Sequence, residues 1–185
     1  MNNFTDVLKK EYEISVPLKK FLFVLFFSYL TFCGAMIKIY VPFTPVPFTL
    51  QNFILFISIY YLSSKEVSIS QLLYIFIGFI GAPVFAAGFT GASIFLGPTA
   101  GYLIGFVISG TFMAFIYSKI KSKNCLKIFL LFLSGAVLIL LSGVLHLAFV
   151  YGFGFKRAFL AGFLPFIVTD TFKALGAALI FKFKK

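Results

Sequence analysis

The chain contains no tryptophan, one histidine, two cysteines and five acidic residues. Each shortage excludes a class of chemistry. Beyond Glu66 the one carboxylate is Asp170, so paired acids for glycoside hydrolysis are missing and no Ser–His–Asp arrangement is seen around His146. Metal-ligand spacing of the His-x-x-Glu type is also absent. There is no G-x-x-x-x-G-K-[ST] segment and no Gly-Lys dipeptide at all. The chain therefore has no phosphate loop with which to hydrolyse ATP. Cys33 falls late in the first apolar segment and Cys125 in a basic loop. They are expected near opposite membrane faces, too far apart to bridge, and neither has metal-ligand spacing.

What is abundant is apolar. The sequence is 61% hydrophobic with a mean hydropathy of +1.07, whereas a soluble domain is apolar over about half its residues. Most of the surface must meet lipid, which makes this an integral membrane protein embedded in a bilayer. At about 20 residues per crossing, 185 residues suit one domain of five to seven spans. The net charge of +11 does not imply nucleic acid. Its lysines gather at the chain ends and in one loop, Lys119, Lys121, Lys123 and Lys127, as topology-setting charge does.

The pattern predicts an all-α protein with six transmembrane helices over about 18–39, 49–62, 69–82, 98–117, 126–150 and 165–181. The second and third are short for a crossing and form a hairpin around SSKEVS. Residues 1–17 are expected to be a cytoplasmic N-terminal segment, and 18–185 a single six-helix substrate-binding domain. Asp6, Glu11 and Glu13 precede an apolar run too long for a signal h-region, so no cleavable signal is expected. All basic residues except Lys38, Lys156, Arg157 and Lys173 fall in the N-terminus, the second–third loop, the fourth–fifth loop and the C-terminus. An even span count puts those four regions on one side, which makes both termini cytoplasmic. A bacterial-type plasma membrane is the expected location.

The proline turn VPFTPVPF, a glycine-rich loop over 82–102 and YGFGFKRAF then lie outside. Irregular backbone of this kind is tolerated at membrane depth only where protein or a cavity shields it. No internal repeat is evident, which weakens the case for a transporter built from inverted halves.

Asp170 and Lys173 are the leading site residues. A charge inside a bilayer costs roughly 2.5–3.5 kcal/mol on insertion scales, so such groups face a cavity or a partner. Their i, i+3 spacing puts both on one helix face. A carboxylate accepts hydrogen bonds and an ammonium offers three donors, which suits a ligand with N–H groups and an anionic tail. The bland alternative is an ion pair that only helps the helix insert. Glycines in GFTGASIFLGPTAGYLIGF allow close backbone approach to a ligand, or close helix packing. His146 is expected to be an interhelical hydrogen-bonder, with a proton relay as the rival reading. Lys38 is expected to snorkel to the interface. Lys156 and Arg157 read as interfacial anchors. Phe89, Tyr102 and Tyr151 are candidates to stack on a ligand.

VPFTPVPFTLQ, IGAPVFAAG, FLGPTAGYLIGF and DTFKA occur in this order. Together they resemble the BioY family, the biotin-specific substrate-binding subunits of energy-coupling-factor (ECF) transporters, over about residues 18–181. The resemblance implies the ECF S-component fold and a biotin pocket toward the extracellular side. It also implies docking on a transmembrane coupling protein and a pair of ATPase subunits, with biotin as ligand and no cofactor. Asp170 and Lys173 match the family's D-x-x-K, and the outer loop before LGPT adds Phe89, Thr90 and Gly91, with Tyr102 and Leu103 following. Some members carry an amide side chain near Phe89 and an arginine at the place of Leu103; Thr90 is a candidate substitute. Small residues of the first helix dock the coupling protein in this class, and Thr31, Gly34 and Ala35 are the candidates here. Two other readings stand beside this one: an S component for another small vitamin, and a proton-coupled secondary transporter with Asp170 as the proton site.

Overall fold

The computed structural model describes the backbone of residues 4–183 and the surroundings of side chains from 17 to 180. Residues 1–3 of the expected N-terminal segment, and the last two lysines, lie outside the described residues. Among the described residues seven helices form the body: α1 (Phe4–Met36), α2 (Gln51–Ser58), α3 (Ser64–Phe79), α4 (Ala100–Lys119), α5 (Cys125–Phe149), α6 (Phe155–Gly162) and α7 (Leu164–Phe183). Two antiparallel strands, β1 (Lys38–Ile39) and β2 (Phe48–Thr49), pair between α1 and α2. A 3-10 helix, Gly91–Leu96, sits between α3 and α4.

Among the described residues, four helical stretches are long and apolar enough to cross a membrane: Pro17–Met36, Ala100–Lys119, Cys125–Phe149 and Phe155–Ile180. α2 has 8 residues and α3 has 16. At 1.5 Å per residue these are about 12 and 24 Å long, short of a hydrocarbon core of about 30 Å. Large apolar side chains on the outside, such as Phe21, Phe76, Phe112, Leu130 and Phe172, are exposed and form the surface that meets lipid.

The expected spans correspond to these helices with shifted ends. α1 reaches back to Phe4 through Pro17, well ahead of the expected start at 18. α2 stops at Ser58, because Ile59 to Tyr61 close 3-10-type turns onto Phe56, Ile57 and Ser58 carbonyls. The stretch after YGFGF, expected to be a connection, is the helix α6. Ala158, Ala161 and Gly162 are its buried side, and the i, i+3, i+4 spacing gives them one face. Glycines at positive φ, Gly152 at 84° and Gly154 at 70°, make the turn from α5 into α6, a conformation that side-chain-bearing residues avoid.

The core is a stack of close helix pairs, with α4 against α5, α5 against α7, α3 against α4, α1 against α3 and α2 against α7. Missing side chains permit the α4–α5 contact. A Cβ on Gly105 would lie 2.9 Å from the Ile139 Cα, and one on Gly101 would lie 2.5 Å from the Ser142 carbonyl oxygen. Small residues at such crossings let backbones approach closely in lipid. Lys38 and Tyr40 of the α1–α2 connection bond to the Ala86 carbonyl, and His146 near the end of α5 bonds to the Gly97 carbonyl, so the α1–α2, α3–α4 and α5–α6 connections share one end of the bundle, called the upper end below.

Candidate functional site

α7 carries an aspartate because its neighbours satisfy it. Asp170 is fully buried, at 0% exposure. Lys173, one turn on, donates from Nζ to Asp170 Oδ1 at 2.7 Å, and Asn52 in the first turn of α2 donates from Nδ2 to Oδ2 at 2.6 Å. Each carboxylate oxygen thus has a donor, one charged and one neutral. Burial of an isolated carboxylate would be prohibitive without such partners. Lys173 uses one of its three N–H groups on Asp170.

These side chains face a cavity of about 40 Å³ near the upper end. Val46, Pro47 and Thr49 close one side, just before α2. Tyr102, Leu103 and Phe106 of α4 form another, with Leu140 of α5 and Phe166 of α7. Phe85 and Ala86, between α3 and the 3-10 helix, complete the wall. The lining is apolar, with a few polar groups at defined places, the usual character of a small-molecule site.

The wall is built by specific contacts. Phe85 lies against the bare backbone of Gly78, where a Cβ would come within 2.1 Å of its ring. It meets Tyr74 edge-on at 5.4 Å. Tyr74 accepts from Gln51 Nε2 at 2.9 Å and donates to the Val84 carbonyl at 3.0 Å. Lys38 Nζ and the Tyr40 hydroxyl both donate to the Ala86 carbonyl, at 3.2 and 2.6 Å. Three side chains, the buried Tyr74 and the exposed Lys38 and Tyr40, thus hold the strap 84–86 beside the cavity. Lys38, expected to snorkel, is exposed and also part of this fastening. His146 bonds across to the Gly97 carbonyl at 3.0 Å, so its partner is the turn before α4 rather than a neighbouring helix.

Of the expected site residues, the structure brings Asp170, Lys173, Tyr102 and Leu103 together around the cavity. The Tyr102 hydroxyl is spent on the Gly162 carbonyl at 2.7 Å, and its ring rests on Gly143, where a Cβ would come within 2.2 Å. Its contribution to the cavity is therefore a ring surface. Phe89, Thr90 and Gly91 are not in the lining. Phe89 covers Gly97, the Thr90 carbonyl accepts from Ser93, and Gly91, with φ +61°, opens the 3-10 helix. Tyr151 pairs edge-on with Phe153 in the α5–α6 turn.

Thr31, Gly34 and Ala35 are buried inside the chain, which corrects their assignment to a docking face. The Thr31 hydroxyl donates to the Phe27 carbonyl and accepts from Gln71 Nε2. Gly34 lies 3.1 Å, as measured to an added Cβ, from the Gln51 backbone nitrogen. Their smallness lets α1 pack on the start of α2 and on α3.

Sequence reasoning missed Asn52 and Thr99. Asn52 had a visible signal: a Gln-Asn pair opening an otherwise apolar segment. Thr99 stands inside the LGPTAGY stretch, but nothing in its sequence surroundings separates it from Thr90.

Residues 7–184 match the model of the BioY family. The chain is 37% identical to the biotin transporter BioY of Thermotoga maritima, over 83% of this chain and 88% of that one. It is 40% identical to the probable biotin transporter BioY of Pyrococcus horikoshii, over 88% and 93%. Its fold superposes on the crystal structure of the S-component for biotin from an ECF-type ABC transporter with a TM-score of 0.82, at 26% identity and 90% coverage of both chains.

Proposed function

The chain belongs to the BioY family, and from that premise we propose that it captures biotin as the S component of an ECF-type importer in the plasma membrane. The observation that carries the ligand assignment is the buried carboxylate of Asp170, fastened by Lys173 and Asn52 at an apolar cavity. Biotin has two ureido N–H donors, an apolar thioether ring and a carboxylate tail. Asp170 retains lone pairs beyond those used by its two partners, and Lys173 retains N–H groups. The aromatic walls of Phe85, Tyr102 and Phe166 suit the fused ring.

In this reading both termini are cytoplasmic and the upper end of the bundle faces outside. α2 and α3 supply the two short crossings that complete six. Biotin enters from outside, and Asp170, Lys173, Tyr102 and Leu103 bind it, with Phe89, Thr90 and Gly91 in the loop above. The chain lacks a phosphate loop, so a transmembrane coupling protein and two ATPase subunits supply the energy for release inward.

Calorimetric titration of detergent-purified protein, prepared free of biotin, tests the assignment. Tight one-to-one binding is expected. A folded, ligand-free protein that gives no binding would overturn it.

A further inference from the structure

Helical serines and threonines in this protein share a habit. Thr31, Ser68, Thr111, Ser134 and Thr171 each donate to a main-chain carbonyl three or four residues back, which spends the hydroxyl within its own helix. Ser28 and Ser70 depart from it. They are buried, at 3% and 0% exposure, and neither hydroxyl has a hydrogen-bond partner among the described residues. Gln71, also fully buried, leaves its Oε1 unpartnered in the same way.

The three atoms belong to one seam. Ser28 is on α1, Ser70 and Gln71 are on α3, and these helices pack together. Two cross-links set their register. Lys20 Nζ lies 3.7 Å from Glu66 Oε1, and Gln71 Nε2 donates to Thr31 Oγ1 at 3.3 Å. Along α1, Ser28 falls between Lys20 and Thr31; along α3, Ser70 falls between Glu66 and Gln71. Spacing of i, i+3 puts Ser28 on the face of Thr31, and i, i+4 puts Ser70 on the face of Glu66. Both serines thus stand between the cross-links, on the faces that α1 and α3 turn to each other.

A polar group buried without a partner is costly, and the hydrocarbon around a bundle offers none. The chemistry of the three atoms names what completes them. An amide oxygen only accepts, and a hydroxyl both gives and takes. All three are neutral, and the charges of Lys20 and Glu66 are matched to each other. An anion would meet no free cation here, and a metal ion no free carboxylate. Water donates two hydrogen bonds and accepts two, and a buried water is held by about three.

We propose that the α1–α3 seam is an internal water-binding site formed by Ser28, Ser70 and Gln71. The water donates to Gln71 Oε1 and bonds to the serine hydroxyls, joining α1 to the bundle through a wet contact. None of the three residues lines the ligand cavity, so this site stands or falls independently of the biotin reading.

A crystal structure of the full-length protein, at a resolution that shows ordered water, tests it. A water oxygen is expected about 2.7–3.2 Å from Gln71 Oε1 and from at least one of the two serine hydroxyls. A dry seam, with each serine turned onto a carbonyl of its own helix, would overturn the site. Should the crystals not reach that resolution, melting temperatures of Ser28→Ala, Ser70→Ala and the double variant decide. An unpaired hydroxyl is a burden whose removal raises the melting temperature or leaves it unchanged. Hydroxyls that share a water behave otherwise: each single variant should melt at least about 2 °C lower, and the double variant should lose less than the sum, because the two act through one water. Any other pattern would overturn the proposal.

Discussion

At the scale of single residues, the consequence of the site's architecture is that Asp170 and Asn52 do different work. In the proposed site Asp170 is the acceptor the ligand meets, and Asn52 holds one of its oxygens. Asp170→Asn should weaken biotin binding more than tenfold, about 1.4 kcal/mol or more, because a charge-assisted acceptor is lost. Unchanged affinity by calorimetry in a folded variant would remove Asp170 from the site. Asn52→Ala leaves a buried carboxylate oxygen without its donor. A hydrogen bond to a charged group is worth about 1.5–3 kcal/mol, and the loss should appear as a lower melting temperature in detergent before any ligand is added. The D-x-x-K spacing made Asp170 and Lys173 legible from sequence. Asn52 was less so, because its partner lies on another helix 118 positions away and nothing local encodes that meeting.

Among secondary-structure elements, the bare crossing of α4 and α5 makes a graded prediction. An alanine at Gly101 would press its Cβ to 2.5 Å from the Ser142 carbonyl oxygen, a backbone atom that cannot turn away. At Gly135 the obstacle is Met113 Sδ at 2.1 Å, the end of a flexible side chain. Gly101→Ala should therefore lower the melting temperature clearly more than Gly135→Ala; the reverse order would refute this account of the crossing. The start of α3 supplies a pH dependence. Partial burial of Glu66 acts to raise its pKa. Hydrogen bonds from Ser63, whose N–H donates to Oε2 at 2.7 Å, and the Lys20 ammonium at 3.7 Å more than offset this, so the carboxyl sits below its ordinary range. A lowered folded-state pKa means stability that is present above the unfolded value and lost as pH falls through the folded one. The melting-temperature difference between wild type and Glu66→Gln should accordingly close on acidification, and a difference that widened would contradict it. Helix existence was readable from apolar runs. The helix α6 was not, because Lys156 and Arg157 interrupt its hydropathy and its buried face is made only of alanine and glycine.

For the whole molecule, distribution of charge carries the topology. If the basic regions mark the cytoplasm, a cysteine at Lys156 should react with a membrane-impermeant maleimide on intact cells, and one at Lys121 should not. Labelling of Lys121→Cys from outside would invert the proposed orientation. The apolar runs predict six spans, and the charge bias supports the even count. Helix length supports four crossings by itself, because α2 and α3 are cut short where the chain turns to shape the cavity. Composition could announce a membrane bundle with an acid inside it. It could not show that Thr31, Gly34 and Ala35 face inward, since smallness suits an internal seam and an external one equally.

The strap beside the cavity is fastened from one direction. Tyr74, Lys38 and Tyr40 supply the donors, and the strap supplies only the carbonyl oxygens of Val84 and Ala86. Every amino acid carries that oxygen. Sequence drift at 84 and 86 can thus proceed without unfastening the wall, whereas drift at 38, 40 and 74 cannot. Anyone diversifying this protein by directed evolution toward new ligands can vary the lining position 86 and its neighbour 84 without losing these bonds, and should leave 38, 40 and 74 alone.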